Sequence, residues 1–155
     1  MSVSQPSQIA EYLKSKENVL ILAGSLCDDI DFNGKKLLDY AAQIAEKIEA
    51  PVAATGNTIN GLRQRNVKAA KKMWAVEVIN YLRYPWQDSI MEQKPEALVF
   101  IGYNPAVAQR LVSMMENTDS VVLGNTYVAE ATHSLPDASL AQWQQNLEQL
   151  IQSIG

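Results

Sequence analysis

The chain has few of the side chains that bind metals or carry redox reactions. It contains one cysteine, Cys27, and one histidine, His133. A single thiol cannot close an internal disulfide, and an iron–sulfur cluster typically takes about four thiolates from the protein. One imidazole also leaves no histidine-rich metal site. We therefore expect no metal site in this chain, so that any metal or redox chemistry has to come from a partner or a bound cofactor.

Long apolar segments and a positive net charge are missing as well. No apolar run approaches the roughly 20 residues that cross a bilayer, and the N-terminus has no basic stretch followed by an apolar one. The formal net charge is −4, which gives no general affinity for nucleic acid. We expect a cytoplasmic protein that binds neither membranes nor nucleic acid.

The sequence lacks the two common nucleotide motifs. The dinucleotide fingerprint G-x-G-x-x-G and the phosphate loop G-x-x-x-x-G-K-[ST] are both absent. What is present is a hydrophobic content of 47% over 155 residues. This composition and length predict one folded domain over residues 1–155 with a sizeable buried core.

Hydrophobic patterning predicts alternating strands and helices. Short apolar runs predict strands at residues 19–23, 51–55, 97–101 and 120–124. Helical spacing predicts helices at 8–16, 35–48, 105–115 and 140–154, and one or two helices within 67–82. Residues 56–61 and 125–139 are predicted loops. Strands that alternate with helices favour an α/β fold, in which a doubly wound, mostly parallel sheet lies between two helical layers.

The stretch 97–108 is the clearest strand, turn and helix in the sequence. Gly102 ends the strand, Asn104 is suited to cap the helix that follows, and Pro105 suits the first helical position. Glycine also follows the other predicted strands, at Gly24, Gly56 and Gly124. Because parallel strands end at the same edge of a sheet, these turns should meet along a crevice of the nucleotide-binding type.

The turns at this edge are the candidate cofactor site, and two interpretations of them stay open. They are either ordinary connections between strand and helix or sites that contact a phosphate or cofactor through unpaired backbone N–H groups. The candidate cofactor-binding residues are Gly24, Ser25, Gly56, Asn57, Gly102 and Tyr103.

Cys27 and His133 are weak candidates for catalysis. The acidic neighbours Asp28, Asp29 and Asp31 should raise the pKa of the thiol, which makes it a poor nucleophile. His133 lies in the predicted loop 125–139. It is either a hydrogen-bonded loop histidine or, if the loop folds over the crevice, a functional one.

A basic segment is the strongest charge feature. Residues 63–72 hold five Lys or Arg and no acid, so this segment carries +5 and the remainder carries −9. Aromatic residues follow it up to Trp86, and aromatic rings beside cations are typical of protein interfaces. The segment is either a solvated face or a docking site for an acidic partner or a nucleotide phosphate. The candidate partner-binding residues are Arg63, Arg65, Lys68, Lys71, Lys72, Trp74 and Trp86.

Several segments resemble the epsilon subunit family of the carbon monoxide dehydrogenase/acetyl-CoA synthase (acetyl-CoA decarbonylase/synthase) complex. The most specific are ATG-x-T at 54–58 and K-x-W-x-V-E-x-x-N-Y-L at 72–82. Weaker matches are VLILAGS at 19–25, AAQIAEK at 41–47, LVFIG at 98–102 and the Ser-Leu-Pro turn at 134–136.

The resemblance implies a fold and a role. The fold would be similar to the NAD/FAD-binding domain of the deoxyhypusine-synthase type, which is Rossmann-like. The role would be that of a non-catalytic accessory subunit in one-carbon metabolism. Such a subunit stabilises the large nickel–iron–sulfur carbon monoxide dehydrogenase subunit and assists electron transfer to a flavin, with FAD as the candidate cofactor.

Two other functions stay open at this stage. The chain could be an independent enzyme that uses a bound FAD- or NAD-type cofactor with His133 or Cys27 active, or a nucleotide-binding sensor. A homodimer is also open. Whether the protein occurs alone or in a large assembly would separate these alternatives.

Overall fold

Among the residues that the structure describes, six strands form one sheet in which all neighbouring strands run parallel. The computed structural model describes residues 4–56, 58–67, 69–88 and 90–155. The strands are β1 (Val19–Ala23), β2 (Val52–Ala54), β3 (Ala70–Lys72), β4 (Ala97–Ile101), β5 (Asp119–Val122) and β6 (His133–Ser134). Their order across the sheet is β3-β2-β1-β4-β5-β6.

Helices connect the strands and cover both faces of the sheet. They are α1 (Pro6–Lys14), α2 (Leu26–Asp29), α3 (Leu37–Ile48), α4 (Thr58–Gln64), α5 (Ala75–Leu82), α6 (Pro105–Ser113) and α7 (Leu140–Ile154). No helix of the described residues is long and apolar enough to span a membrane.

The core consists of two apolar layers, one on each face of the sheet. Side chains alternate along β1, so that Val19, Ile21 and Ala23 belong to a cluster with α1, α3 and α7. Leu20 and Leu22 point to the other face, into a cluster with α5 and α6. The predicted α/β fold class, a doubly wound parallel sheet in three layers, is confirmed.

The strand order reverses between β1 and β4. From β1 the chain builds β2 and β3 to one side, and from β4 it builds β5 and β6 to the other. This is the strand order of the Rossmann dinucleotide-binding fold, in which ligands bind outside the carboxyl ends of the two strands at the reversal. The turns after Ala23 and Ile101, which are paired in the sheet, therefore define the site to consider first.

Two strands and one helix were predicted to the residue. Strands β1 and β4 and helix α7 begin and end at the predicted residues. The predicted cap of α6 is also confirmed: Pro105 is its first residue, and the Asn104 side chain accepts a hydrogen bond from the Ala106 N–H at 3.0 Å. These segments combine a clear hydrophobic pattern with a local start signal.

The predicted loop at 56–61 was wrong, because helix α4 begins at Thr58. Gly61 suggested a turn in the sequence, but it lies inside this helix. A Cβ atom at Gly61 would overlap the Leu38 side chain, so the glycine allows α4 and α3 to approach closely.

The prediction of helix throughout 67–82 was also wrong, because residues 70–72 form strand β3 and helix begins at Ala75. This strand has three half-buried or exposed residues, two of them lysines, and shows no apolar alternation. The two-residue strand β6 lies inside the predicted loop 125–139. Both missed strands are at the edges of the sheet, where burial leaves the weakest pattern.

Candidate functional site

The turns after β1 and β4 pack directly on each other. The Gly24 N–H donates to the Ile101 carbonyl at 2.9 Å, and the Leu26 N–H donates to the Gly102 carbonyl at 3.0 Å. A Cβ atom at Gly24 would lie 2.5 Å from the Gly102 oxygen. The two backbones therefore occupy the space at the strand reversal themselves.

Gly102 needs the conformational freedom of glycine. Its φ is +87°, and a Cβ atom would overlap the Cys27 sulfur. Close backbone packing thus explains both glycines. It agrees with the interpretation in which these two turns only connect a strand to a helix. By contrast, a Cβ atom at Gly124 would have no neighbour nearer than 3.9 Å.

A small cleft remains beside these turns, between the ends of β4 and β5. It measures about 40 Å³ and is lined by Gly102, Tyr103 and the turn at Gly124. Small-molecule and cofactor sites usually measure about 300–1,000 Å³. This cleft by itself is therefore too small to hold FAD.

Tyr103 and Cys27 lie beneath the turns. The Tyr103 ring packs edge-on against Phe100 with centroids 6.0 Å apart, and its hydroxyl is buried without a hydrogen-bond partner among the described residues. Burial raises the pKa of Tyr103 above its ordinary range. The Cys27 thiol is fully buried, donates to the Ile101 carbonyl at 3.5 Å, and has a pKa raised first by burial and then by Asp28.

The remaining candidate cofactor residues take no part in this close packing of Gly24 against Gly102. Ser25 is exposed at the start of α2. Gly56 is exposed after β2 with a φ of +51°, and Asn57 lies outside the described residues. Sequence reasoning missed Thr58, whose hydroxyl donates to an Asp28 carboxylate oxygen at 2.8 Å and links α4 to α2.

A larger cleft lies at the opposite, amino edge of the sheet. It measures about 550 Å³ between α3 and the segments that enter β2 and β3, and Ala45, Pro51 and Ala69 are among its lining residues. Arg65 borders it. The amino edge is not where ligands bind in folds of this strand order.

His133 is held by the N-terminal part of the chain. Its Nδ1 lies 2.8 Å from the Ser4 hydroxyl, and its ring lies against the Tyr12 ring with centroids 4.5 Å apart. The Tyr12 hydroxyl in turn donates to the Asp119 carboxylate. These contacts give His133 a structural role, since it joins α1 to strands β5 and β6.

The candidate partner residues fall into two groups. Arg65 is half-buried and donates through Nε to Asp39 at 2.6 Å, while its Nη1 donates to the Gly61 carbonyl at 2.9 Å. Burial would raise the pKa of Asp39, but hydrogen bonds from Arg65 and the Lys36 N–H outweigh it and leave that pKa below its ordinary value. Lys71 lies 3.0 Å from both carboxylate oxygens of Asp88.

The other group points into solvent. Arg63 and Lys72 are exposed, and Trp74 exposes 68% of its surface. Trp86 is half-buried, and its indole N–H donates to the Met91 carbonyl at 2.9 Å. Lys68 lies outside the described residues. The basic segment is therefore one stretch of sequence that the fold divides between internal ion pairs and an open surface.

Two further aromatic residues after the basic segment, which the sequence also marks for an interface, are exposed. Tyr84 exposes 68% of its surface and Tyr81 exposes 39%. Trp74 directly precedes helix α5 and Tyr84 follows its end, so that of these three residues Tyr81 lies within the helix. The Glu77 carboxylate accepts hydrogen bonds from the Trp74 N–H at 3.3 Å and from the Tyr81 hydroxyl at 3.2 Å. That hydrogen bond raises the pKa of Tyr81.

The chain is similar to a subunit of a known complex. It is 24% identical over 150 residues to subunit epsilon 2 of the acetyl-CoA decarbonylase/synthase complex of Methanosarcina mazei. The aligned region covers 94% of this chain and 85% of that subunit. The likeness therefore extends over nearly the whole domain. No protein-family model matches the chain.

Within the described residues, no three His, Cys, Asp or Glu side chains come together as a metal site would require. The fold does provide a pair of tightly packed turns at the strand reversal and three exposed aromatic side chains on and beside α5. The first is suited to stability and the second to binding another protein.

Proposed function

We propose that this chain is a non-catalytic accessory subunit of an acetyl-CoA decarbonylase/synthase-type complex, where it binds and stabilises the large nickel–iron–sulfur carbon monoxide dehydrogenase subunit. The observation that carries the proposal is the similarity to subunit epsilon 2 over 94% of the chain. The composition supports it, because one cysteine cannot hold an iron–sulfur cluster and the redox centres would belong to the partner.

Affinity capture from native extract tests this function. The tagged chain should co-purify under anoxic conditions with a larger subunit, and the purified assembly should contain nickel and iron. The isolated chain should oxidise no carbon monoxide. Elution of the tagged chain alone, or carbon monoxide oxidation by the isolated chain, would contradict the proposal.

The partner contact is proposed to lie in the basic and aromatic segment 63–86. Charge reversal tests it best at Arg63 and Lys72, which are exposed. The combined variant Arg63→Glu and Lys72→Glu should weaken co-purification, because opposite charges steer and orient association. Lys71 is a poorer choice, since Lys71→Glu would bring a carboxylate against Asp88. Unchanged recovery of the large subunit with the combined variant would remove this segment from the interface.

FAD binding is a separate part of the proposal. The Rossmann strand order favours a nucleotide at the carboxyl edge, but the small cleft there means that the turns would first have to separate. We therefore assign no electron-transfer step to this chain. Calorimetry and thermal unfolding with FAD, NAD and ADP test binding, and no heat with no change in melting temperature would remove it.

Two matched variants locate the site if a nucleotide binds. Ser25→Trp places a large ring at an exposed position of the carboxyl edge, whereas Ala69→Trp narrows the cleft at the amino edge. Binding at the proposed edge should be lost with Ser25→Trp and kept with Ala69→Trp. The opposite pattern would place the nucleotide in the amino-edge cleft.

A further inference from the structure

Three exposed aromatic side chains lie on and beside α5. Trp74 directly precedes this helix, Tyr81 lies in its last turn and Tyr84 follows its end; we call these three rings the α5 aromatic face. Two of these rings are 68% exposed and the third 39%. An aromatic side chain offers about 150–250 Å², so the three provide roughly 350 Å². A standard protein interface buries about 800 Å² on each side, so these rings alone would supply a little under half of one side.

Side-chain contacts hold the Tyr81 ring of the α5 aromatic face in place before any partner binds. Glu77 accepts hydrogen bonds from the Trp74 backbone and the Tyr81 hydroxyl. The Tyr81 ring packs edge-on against Trp86 with centroids 6.4 Å apart. Rings that are already fixed lose little conformational entropy on binding, which is a property of interface anchors.

A cleft adjoins two rings of the α5 aromatic face, Tyr81 and Tyr84. It measures about 310 Å³ and lies among Tyr81, Tyr84, Pro85, Gln87 and Asp88. The Asp88 carboxylate at this cleft is compensated by Lys71 at 3.0 Å. A cleft of this size beside exposed rings is suited to receive an apolar side chain of another protein.

The charge around the α5 aromatic face favours an acidic partner surface. Within residues 63–88, Arg65 and Lys71 are paired with Asp39 and Asp88. The exposed charges that the structure describes in this segment are the cations Arg63, Lys72 and Arg83 and the Glu77 carboxylate. Lys72 lies two residues before Trp74, and Arg83 directly precedes Tyr84. A two-fold dimer through this face would bring like charges together. An acidic partner surface would be attracted.

We propose that the α5 aromatic face anchors the large subunit, through a patch on that subunit that is apolar at its centre and acidic around it. This inference rests on the proposed function and deepens it. It assigns most of the binding energy to Trp74, Tyr81 and Tyr84. The cations then serve mainly to orient the partner. Hot spots in interfaces are enriched in tryptophan and tyrosine, and charges at the rim mainly affect the association rate.

Binding of the purified chain to the purified large subunit, measured by calorimetry at two salt concentrations, tests the proposal. The double variant Trp74→Ala and Tyr84→Ala should weaken binding by about 100-fold or more. Leu140→Ala and Val107→Ala are the matched controls, since they remove exposed apolar side chains on α7 and α6, and they should bind as wild type does. Lys72→Glu should weaken binding and reduce its salt dependence. Circular dichroism confirms that each variant is folded.

The outcomes separate this inference from the proposed function. If the wild type binds the large subunit and the double variant binds within about twofold of it, the α5 aromatic face is not the anchor and the function stands. An equal loss with Leu140→Ala would also overturn the inference. If the wild type does not bind, the proposed function and this inference fail together. If the wild type instead self-associates and the double variant does not, the face joins two copies and the acidic-partner assignment is wrong.

Discussion

At the scale of single residues, Gly24 and Gly102 determine what the strand reversal can hold. Their backbones are hydrogen-bonded to each other's turns, and neither position has room for a Cβ atom. A glycine after a strand could equally have left space for a phosphate. Whether that space exists depends on the second turn, 78 residues away in sequence, so no local sequence pattern predicts it.

The first prediction concerns these glycines. Gly102→Ala should lower the free energy of unfolding by about 3 kcal/mol, because the methyl group overlaps Cys27 and the positive φ disfavours a side chain. Gly124→Ala is the control, since its Cβ atom meets nothing nearer than 3.9 Å. Urea unfolding measures both. Equal stability of the two variants would show that the turns are looser than described. If Gly102→Ala yields no folded protein, the yields of soluble protein from parallel expression of the two variants give the same comparison.

The second prediction concerns Cys27, which should be inert in the folded protein. The thiol is fully buried, and its raised pKa leaves little thiolate at neutral pH. Iodoacetamide should modify it only after unfolding in urea. Ser25→Cys, at an exposed position two residues earlier, should add one rapidly modified thiol. Rapid modification of the folded wild type would contradict the burial and reopen a catalytic role.

At the scale of elements, the end of α3 carries a residue in an unfavourable conformation. Glu49 caps this helix with φ +54° and ψ +44°, a left-handed conformation that glycine adopts without cost. Its carboxylate also lies near the negative end of the helix dipole. Both effects destabilise the folded state.

The third prediction follows from this cap. Glu49→Gly should raise the free energy of unfolding by about 0.5–1 kcal/mol. Glu46→Gly removes the same charge from an exposed position inside the helix and should lower it by about 1 kcal/mol. Thermal and urea unfolding of the two variants give the comparison. A decrease in stability with Glu49→Gly would mean that the carboxylate makes a favourable interaction.

The success of prediction also varied from element to element, for a physical reason. Strands β1 and β4 are buried on both faces, so their sequences are continuous apolar runs that are easy to recognise. Helix α4 and strand β3 are short and partly exposed, and their positions depend on packing against α3 and β2. Gly61 shows the limit best: it resembles a turn residue in the sequence, and only the position of Leu38 explains it. Likewise, the sequence groups Trp74, Tyr81 and Tyr84 as interface aromatics, but only the structure shows that all three are exposed.

At the scale of the whole molecule, buried tyrosines make stability depend on alkaline pH. Burial, together with its hydrogen bond to Glu148 at 2.5 Å, raises the pKa of Tyr40 from about 10 to about 12. Between these values the unfolded chain loses the phenolic proton and the folded chain keeps it. Since the unfolded state then binds fewer protons, the free energy of unfolding decreases as pH rises.

The fourth prediction is a loss of stability between pH 10 and pH 12. Urea unfolding at intervals of pH should show a steeper decrease for the wild type than for Tyr40→Phe, which has no phenolic proton to lose. Below pH 9 the two proteins should differ by a constant amount, which reports the lost hydrogen bonds to Glu148 and from Gln144. Parallel curves up to pH 12 would contradict the raised pKa.

Finally, the sheet ends on both sides in a strand that cannot readily accept another. Strand β3 is three residues long and includes two lysines, and beside the two-residue β6 the Ser4 N–H already bonds to the Ser134 carbonyl at 3.0 Å. Short and charged margins of this kind discourage strand addition and fibril growth. This protein is therefore better suited to associate through side-chain contacts than through an added strand, so that one copy can join an assembly without starting a growing polymer.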